Sequence, residues 1–598
     1  MVSMTDEQEI PIGENETHEH PNTSPRAIRN VCICGVALVA VFALLHWLSP
    51  PFQYGSQLTR PYLAVAGLLV AASFIAFFAL INALKVSSQQ RRMLLLLIVS
   101  FALCTRLITV FTCPILELDY YRYIWDGKTV AAGVSPYLHS PEQVLNAGSN
   151  ETETLKQLDA LSRRTESNHT LLSRVHFEDH TTIYPPVSQA VFASVMKWFP
   201  DTASVEAHIV TMKLALVLFD LGTLVLIWLL LGKLGLNVGW MIVYAWNPLV
   251  IKEIANGGHL DSIATFFMVA SIVLLARWQF AGSTKTRPLF LTGSGIALGL
   301  GFGAKLFPVV LLPALAIYVS RKSWVQAGLF SLLFAGIAGL CLWPMLDPIV
   351  NREEPPVEVQ APIDVEDLVD IDTALPWDSS GEELTATKAE HGAVGFFSRW
   401  RMNDTVFSFV YLNFKDSDRG FDETPWFVVT SSDFRKQFEV WCQKQSIGGD
   451  KPAFLMAKVL TLGAFLIFYC WQLLVIRQRK FEPSESVRHE ILFLLRRMVI
   501  ILTAFLFLQP TVNPWYLVWI MPLACFSGNR GWLLASGLLL TYYSRFWFEL
   551  FDGPFEILWR KYSGVGIYDQ FVAWIVTILA LGILAFFAAL KSQNVSQS

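Results

Sequence analysis

Two carboxylates stand two residues apart in Glu117-Leu118-Asp119, directly after an apolar run long enough to cross a bilayer. That position puts them at a membrane surface, where an ionisable group is a functional candidate by default. If the two share one site, their repulsion raises one pKa towards working pH. The chain continues Tyr120-Tyr121-Arg122-Tyr123-Ile124-Trp125-Asp126-Gly127-Lys128 and reaches Gly133. Helical spacing places Tyr120, Tyr123, Ile124 and Gly127 on one face, as in a helix lying among the headgroups. The plain alternative is a solvated acidic cap beside an aromatic belt. His259 and Asp261 follow Gly257-Gly258 at the expected outer end of a span and add an imidazole and a carboxylate on the same side. Lys305 separates two apolar runs there, where it either meets an anion or snorkels to the interface. Arg106 lies inside an apolar run, a costly place for a charge unless it is paired.

Three other patterns carry no chemistry. Gly295, Gly299 and Gly303 recur every four residues in an apolar helix, which is a helix-packing pattern. No G-x-x-x-x-G-K-[ST] occurs, which argues against an ATP-driven pump. His176 and His180 stand four apart, as helical metal ligands would, but they sit in a polar loop before a Pro-Pro turn, and no metal site is expected.

The elements that must position these residues are helices in a bilayer. Of 598 residues, 53% are hydrophobic and 16% charged, against roughly 25% charged in a soluble domain. The net charge of −4 offers no basic field for nucleic acid. About fourteen runs meet the length for a span: 31–49, 62–84, 93–113, 207–232, 239–255, 260–279, 289–304, 306–320, 324–343, 453–476, 491–509, 514–527, 531–550 and 568–590. The expected fold is therefore an all-α polytopic membrane protein.

Residues 1–30 read as a disordered cytoplasmic tail, 31–343 as an N-terminal transmembrane region, 453–590 as a C-terminal one and 591–598 as a second tail. Basic residues such as Arg91, Arg92, Arg277, Arg321 and Arg479 mark the cytoplasmic connections. Two long segments then face outward: 114–206, which carries Glu117 and Asp119, and 344–452. Within the latter, 351–390 holds twelve acidic residues against two basic ones, the composition of a solvated loop.

Asp119-Tyr120-Tyr121-Arg122-Tyr123-Ile124-Trp125-Asp126-Gly127, with Gly133, Pro136 and Tyr137, resembles the signature of bacterial polyprenol-phosphate-mannose-dependent mannosyltransferases of the GT-C class. Further pieces agree in order: Tyr184-Pro185-Pro186, Trp246-Asn247-Pro248-Leu249, Gly257-Gly258-His259-Leu260-Asp261, Lys305-Leu306-Phe307-Pro308 and Pro514-Trp515-Tyr516-Leu517. The resemblance spans residues 117–527.

It implies a GT-C-like arrangement with interfacial outer-face helices. It also implies transfer of a sugar, mannose above others, from a polyprenyl-phosphate donor to an acceptor hydroxyl, with inversion. Asp119 matches the family's base, and Glu117 is a partner or an alternative base. Lys305, with Arg122 and Lys252 as second choices, would meet the donor phosphate. His259, Asp261, Asn247, Tyr184, Trp515 and Tyr516 would line the sugar or acceptor pocket. No cofactor or metal is expected. The partners would be the lipid donor, a glycan, lipid or protein acceptor, and membrane lipid, in a bacterial inner membrane with the site on the outer face. The rival class is a transporter or flippase for a lipid-linked sugar, whose mark would be charges at mid-membrane.

Overall fold

The computed structural model describes residues 23–148, 152–282, 285–350, 405–415, 428–444, 451–480, 486–544, 546–547 and 577–588. The expected tails up to residue 22 and beyond 590, and the acidic stretch 351–390, lie outside them. Among the described residues every regular element is helical, as the apolar composition requires of a chain that must bond its backbone internally in lipid.

Among the described residues, eight helices have the length and apolarity to cross a membrane: Pro25–Leu48, Tyr62–Ala83, Ser88–Val110, Val205–Lys233, Asp261–Phe280, Trp324–Leu346, Pro452–Gln478 and Val487–Leu508. They answer to eight of the fourteen apolar runs. One further run, 289–304, forms the helix Arg287–Ala304; 239–255, 306–320 and 514–527 form shorter pieces, and 531–550 and 568–590 lie partly outside the described residues. The sequence explains most of that shortening. The run 239–255 breaks into a 3₁₀ turn Val238–Met241, a helical turn Ile242–Ala245, a turn Pro248–Val250 and a π-helix Ile251–Asn256. Pro248 has no N–H to give and crowds the preceding turn. Similarly, Pro514 and Pro522 divide the run 514–527 into a 3₁₀ stretch Pro514–Trp519 and a turn Met521–Ala524. Hydropathy registers these segments as apolar but not as broken.

We label the helices that matter here α1 (Thr23–Leu48), α2 (Tyr62–Ala83), α3 (Arg91–Val110), α4 (Asp119–Ala131), α5 (Pro141–Leu145), α6 (Glu153–Ser162), α7 (Glu166–Ser173), α8 (Pro186–Met196) and α9 (Val205–Lys233). Five short helices, α4 to α8, thus fill the segment 114–206. One continuous apolar core joins the spans to α4 and α8. Large apolar side chains remain exposed along the spans, among them Trp47, Phe78, Leu218, Leu332 and Ile467, which is the surface a lipid-facing helix presents.

The charge in the run 93–113 is paired. Arg106 on α3 forms a buried ion pair with Asp220 on α9 and donates 2.8 Å to the Ala245 carbonyl. That carbonyl ends the turn before Pro248, so the guanidinium satisfies backbone that the break would otherwise leave bare in lipid. The glycine repeat behaves as a packing pattern: a Cβ on Gly299 would lie 2.8 Å from Ile337, and one on Gly303 2.7 Å from Cys341.

Candidate active site

The segment that delivers Glu117 and Asp119 is tied down before it reaches them. Lys213 of α9 donates to the carbonyls of Thr109 and Thr112 at 3.1 and 2.9 Å, occupying the end of α3. Asn256 then grips the next turn from both sides. Its Oδ1 accepts from the Ile115 N–H and its Nδ2 donates to the Cys113 carbonyl, each at 2.9 Å. Leu116 takes a left-handed conformation (φ 54°), and the chain turns into α4.

Glu117 Oε1 accepts from the N–H groups of Leu118 and Asp119, at 2.9 and 2.8 Å. It thereby serves the open amides at the start of α4. Asp119 opens that helix, and its Oδ2 accepts from Tyr184 (2.9 Å) and from Tyr123 one turn on (3.3 Å). Tyr184 is placed by the Pro-Pro start of α8, and Tyr123 stacks on Phe192 of the same helix. Glu117 is buried and Asp119 keeps partial exposure.

His259 comes to the same place from the other side of the sequence. The π-helix Ile251–Asn256 ends in Gly257-Gly258, with Gly258 at φ +72°, where glycine is the residue without strain. The turn sets His259 Nε2 2.7 Å from Glu117 and 3.3 Å from Glu253. Trp515 stacks on the imidazole at 4.5 Å, tilted by 17°. Behind it, Glu253 binds Lys252 at 3.0 Å and accepts from Tyr543 at 2.9 Å, while Lys252 also donates to Tyr543 at 2.8 Å. Asp261, at the start of the next span, accepts from Lys305 through both oxygens at 2.8 Å and from Trp519 at 2.5 Å. The Lys305 ammonium lies 4.8 Å over the Tyr516 ring.

The charges balance in pairs except at one residue. Lys252 and His259 stand against Glu117 and Glu253, and Lys305 stands against Asp261. Asp119 has phenols for partners and no bonded cation. Burial first, and the Glu117 charge second, push its carboxyl up to about 6, against the milder pull of His259 and the Tyr184 bond. Burial alone would raise Glu117 too, but the His259 charge and hydrogen bond outweigh it and hold Glu117 below the ordinary carboxylate range. Burial works against the His259 cation, yet Glu117 and Glu253 together raise it to about 10.

Glu117, Asp119 and His259 also offer atoms within 4.8 Å of one another, a spacing that a cation could share. The fit is poor, because Glu117 and Glu253 lie 2.7 and 3.3 Å from Nε2 as counterions to a charged imidazole, whereas a metal needs its lone pair.

The other expected residues are placed as follows. Arg122 gives its guanidinium to the carbonyls of His176, Phe177 and His180 at 2.6 to 3.1 Å. It fixes the loop that leads to Tyr184, and the two histidines of that loop contribute carbonyls there. Lys252 is 2% exposed and committed to Glu253 and Tyr543. Asn247 caps the turn Pro248–Val250 and bonds Ser536 at 3.0 Å, with none of the acidic cluster among its partners.

Glu253, Trp519 and Tyr543 were missed by sequence reasoning. Glu253 had a signal, a second charge beside Lys252 inside an apolar run. Trp519 and Tyr543 had none among so many aromatics.

Residues 28–321 match the family model for the N-terminal domain of alpha-(1->6)-mannopyranosyltransferases. They therefore carry a mannosyltransferase family domain, and it includes Glu117, Asp119, Tyr184, Lys252, Glu253, His259, Asp261 and Lys305. No curated protein and no solved structure gives a significant match.

Proposed function

From a mannosyltransferase domain over residues 28–321, and eight membrane-length helices among the described residues, we propose a GT-C-like enzyme. It moves mannose from a polyprenyl-phosphate donor to an acceptor hydroxyl at the outer membrane face, with inversion and with Asp119 as the general base. The observation that carries the reading is the charge balance: of the carboxylates gathered here, Asp119 is the one without a bonded cation, and it is also partly open.

Asp119 takes the acceptor hydroxyl proton. The acceptor oxygen forms its bond to the anomeric carbon from the face opposite the phosphate. The bond from that carbon to the phosphate oxygen breaks, and polyprenyl phosphate leaves with the electron pair. Lys305 is the cation for the leaving phosphate. Its side chain retains 21% exposure, and moving from Asp261 to a phosphate exchanges one charge-assisted bond for another. Glu117 is a positioning residue, because its oxygens already serve two amides and His259. Trp515 and Tyr516, with Tyr184, are the aromatic surfaces for sugar or acceptor, and the prenyl chain lies along lipid-facing helices. No cofactor enters these steps. The buried Arg106–Asp220 pair, the kind of charge a transporter would use, is instead saturated by the Ala102 and Ala245 carbonyls.

Purified protein given polyprenyl-phosphate-mannose and an acceptor extract of the host should release polyprenyl phosphate faster than without the extract. Tight donor binding with no release under any acceptor fraction would replace the enzyme by a binding protein.

A further inference from the structure

Glu253 lies at the back of the cluster, 0% exposed, where it cannot touch an acceptor. A buried carboxylate without a task is costly, and its contacts define the task. One oxygen meets Lys252 at 3.0 Å and His259 at 3.3 Å; the other accepts from Tyr543 at 2.9 Å. The groups that face His259 are Glu117 and Asp119 from the segment before α4, Glu253 and Lys252 from the π-helix, and Trp515. Lys213 of α9 packs beside Gly258, and Tyr543 stands behind Glu253. Lys305, paired with Asp261, adds a positive charge that acts on Asp119.

We propose that Glu253 is a positioning residue that works through His259: together with Glu117 it keeps the imidazole charged, and that charge lets Glu117 and Asp119 be ionised side by side. The inference rests on the reading of Asp119 as base. Without the second carboxylate, the imidazole holds its proton less tightly. As pH rises through that lowered value the imidazole turns neutral, and the pocket is left with an uncompensated negative charge that repels the anionic phosphate of the donor. The device therefore protects the reaction on the alkaline side. Glu253 bonds Lys252, His259 and Tyr543, while Asp119 bonds Tyr184 and Tyr123, so the contact that links Glu253 to the carboxylate pair is the imidazole.

The test is the pH profile of kcat/KM between pH 5 and 9.5. The wild-type profile should rise near pH 6 and stay level to its upper end. In Glu253→Gln an alkaline fall should enter the measured range, at least about one unit below the wild-type limit. Glu253→Asp, which keeps the charge, should restore the plateau. The neutralised pair Lys252→Met with Glu253→Gln guards against misfolding from an unpaired buried lysine, and it should show the same alkaline fall.

A lower rate with an unchanged profile in both Gln-containing variants would reduce Glu253 to a structural residue. A downward shift of the acid limb alone would mean a direct effect on Asp119, and would also overturn the proposal. An active Asp119→Asn protein in the same assay would remove the base reading itself, a failure distinct from either of these.

Discussion

At the scale of single residues, the site separates two carboxylates that the sequence presents as near equivalents. Glu117 and Asp119 share a membrane depth and a neighbourhood, but backbone amides and His259 saturate one and phenols touch the other. In the proposed mechanism the ionised form of Asp119 is the base, and its carboxyl is pushed up to about 6. Activity is therefore present above that value and is lost as pH falls through it. Tyr184 stabilises the charged form by donating at 2.9 Å. Replacing it with Phe should move the acid limb of kcat/KM upward, by roughly 0.7 unit for a hydrogen bond of ~1 kcal/mol. An unmoved or lowered limb would show that another group sets it.

At the scale of elements, the run 238–256 is the least regular part of the membrane region and the most consequential. Its breaks are arranged by Pro248, by the Asn247 cap and by Gly257-Gly258, and they allow Glu253 and His259 to face Glu117. A break in lipid leaves carbonyls to satisfy, and Arg106 serves the one at Ala245 while it pairs with Asp220. Replacing Arg106 with Met should strand the buried Asp220 charge and cost about 3–5 kcal/mol. That would be seen as a clear fall in the unfolding temperature of the detergent-solubilised protein. Adding Asp220→Leu should recover most of the loss, since a neutral apolar pair of similar volume is tolerated where half a pair is not. If the double variant is no better than Arg106→Met, the charge on Asp220 is not what the guanidinium compensates.

At the scale of the whole molecule, the long spans were legible because each is one uninterrupted apolar stretch. The Glu117 and Asp119 pair was legible as a carboxylate cluster at the end of a span because it follows α3 directly. Among the described residues eight of the fourteen expected runs form membrane-length helices; hydropathy sums over a segment and cannot see Pro248 or Pro522 dividing it. Arg122 was misleading for a related reason: next to a carboxylate pair it reads as an anion ligand, and only the fold reveals the three carbonyls of a loop 54 to 58 residues away.

Sidedness also belongs to this scale. In intact cells, with the native cysteines replaced, a membrane-impermeant maleimide should label Glu153→Cys in the segment of α4 to α8 and spare Lys285→Cys. The reverse pattern would put the site on the cytoplasmic side.

The central claim is that Asp119 removes the acceptor proton. The most direct measurement compares wild type and Asp119→Asn for acceptor-stimulated release of polyprenyl phosphate from polyprenyl-phosphate-mannose, with donor binding measured on the same preparations. The expected result is a loss of about 10²–10⁴ in turnover with donor binding kept within a few-fold. Turnover near the wild-type rate in Asp119→Asn would contradict the assignment and return the role of base to Glu117.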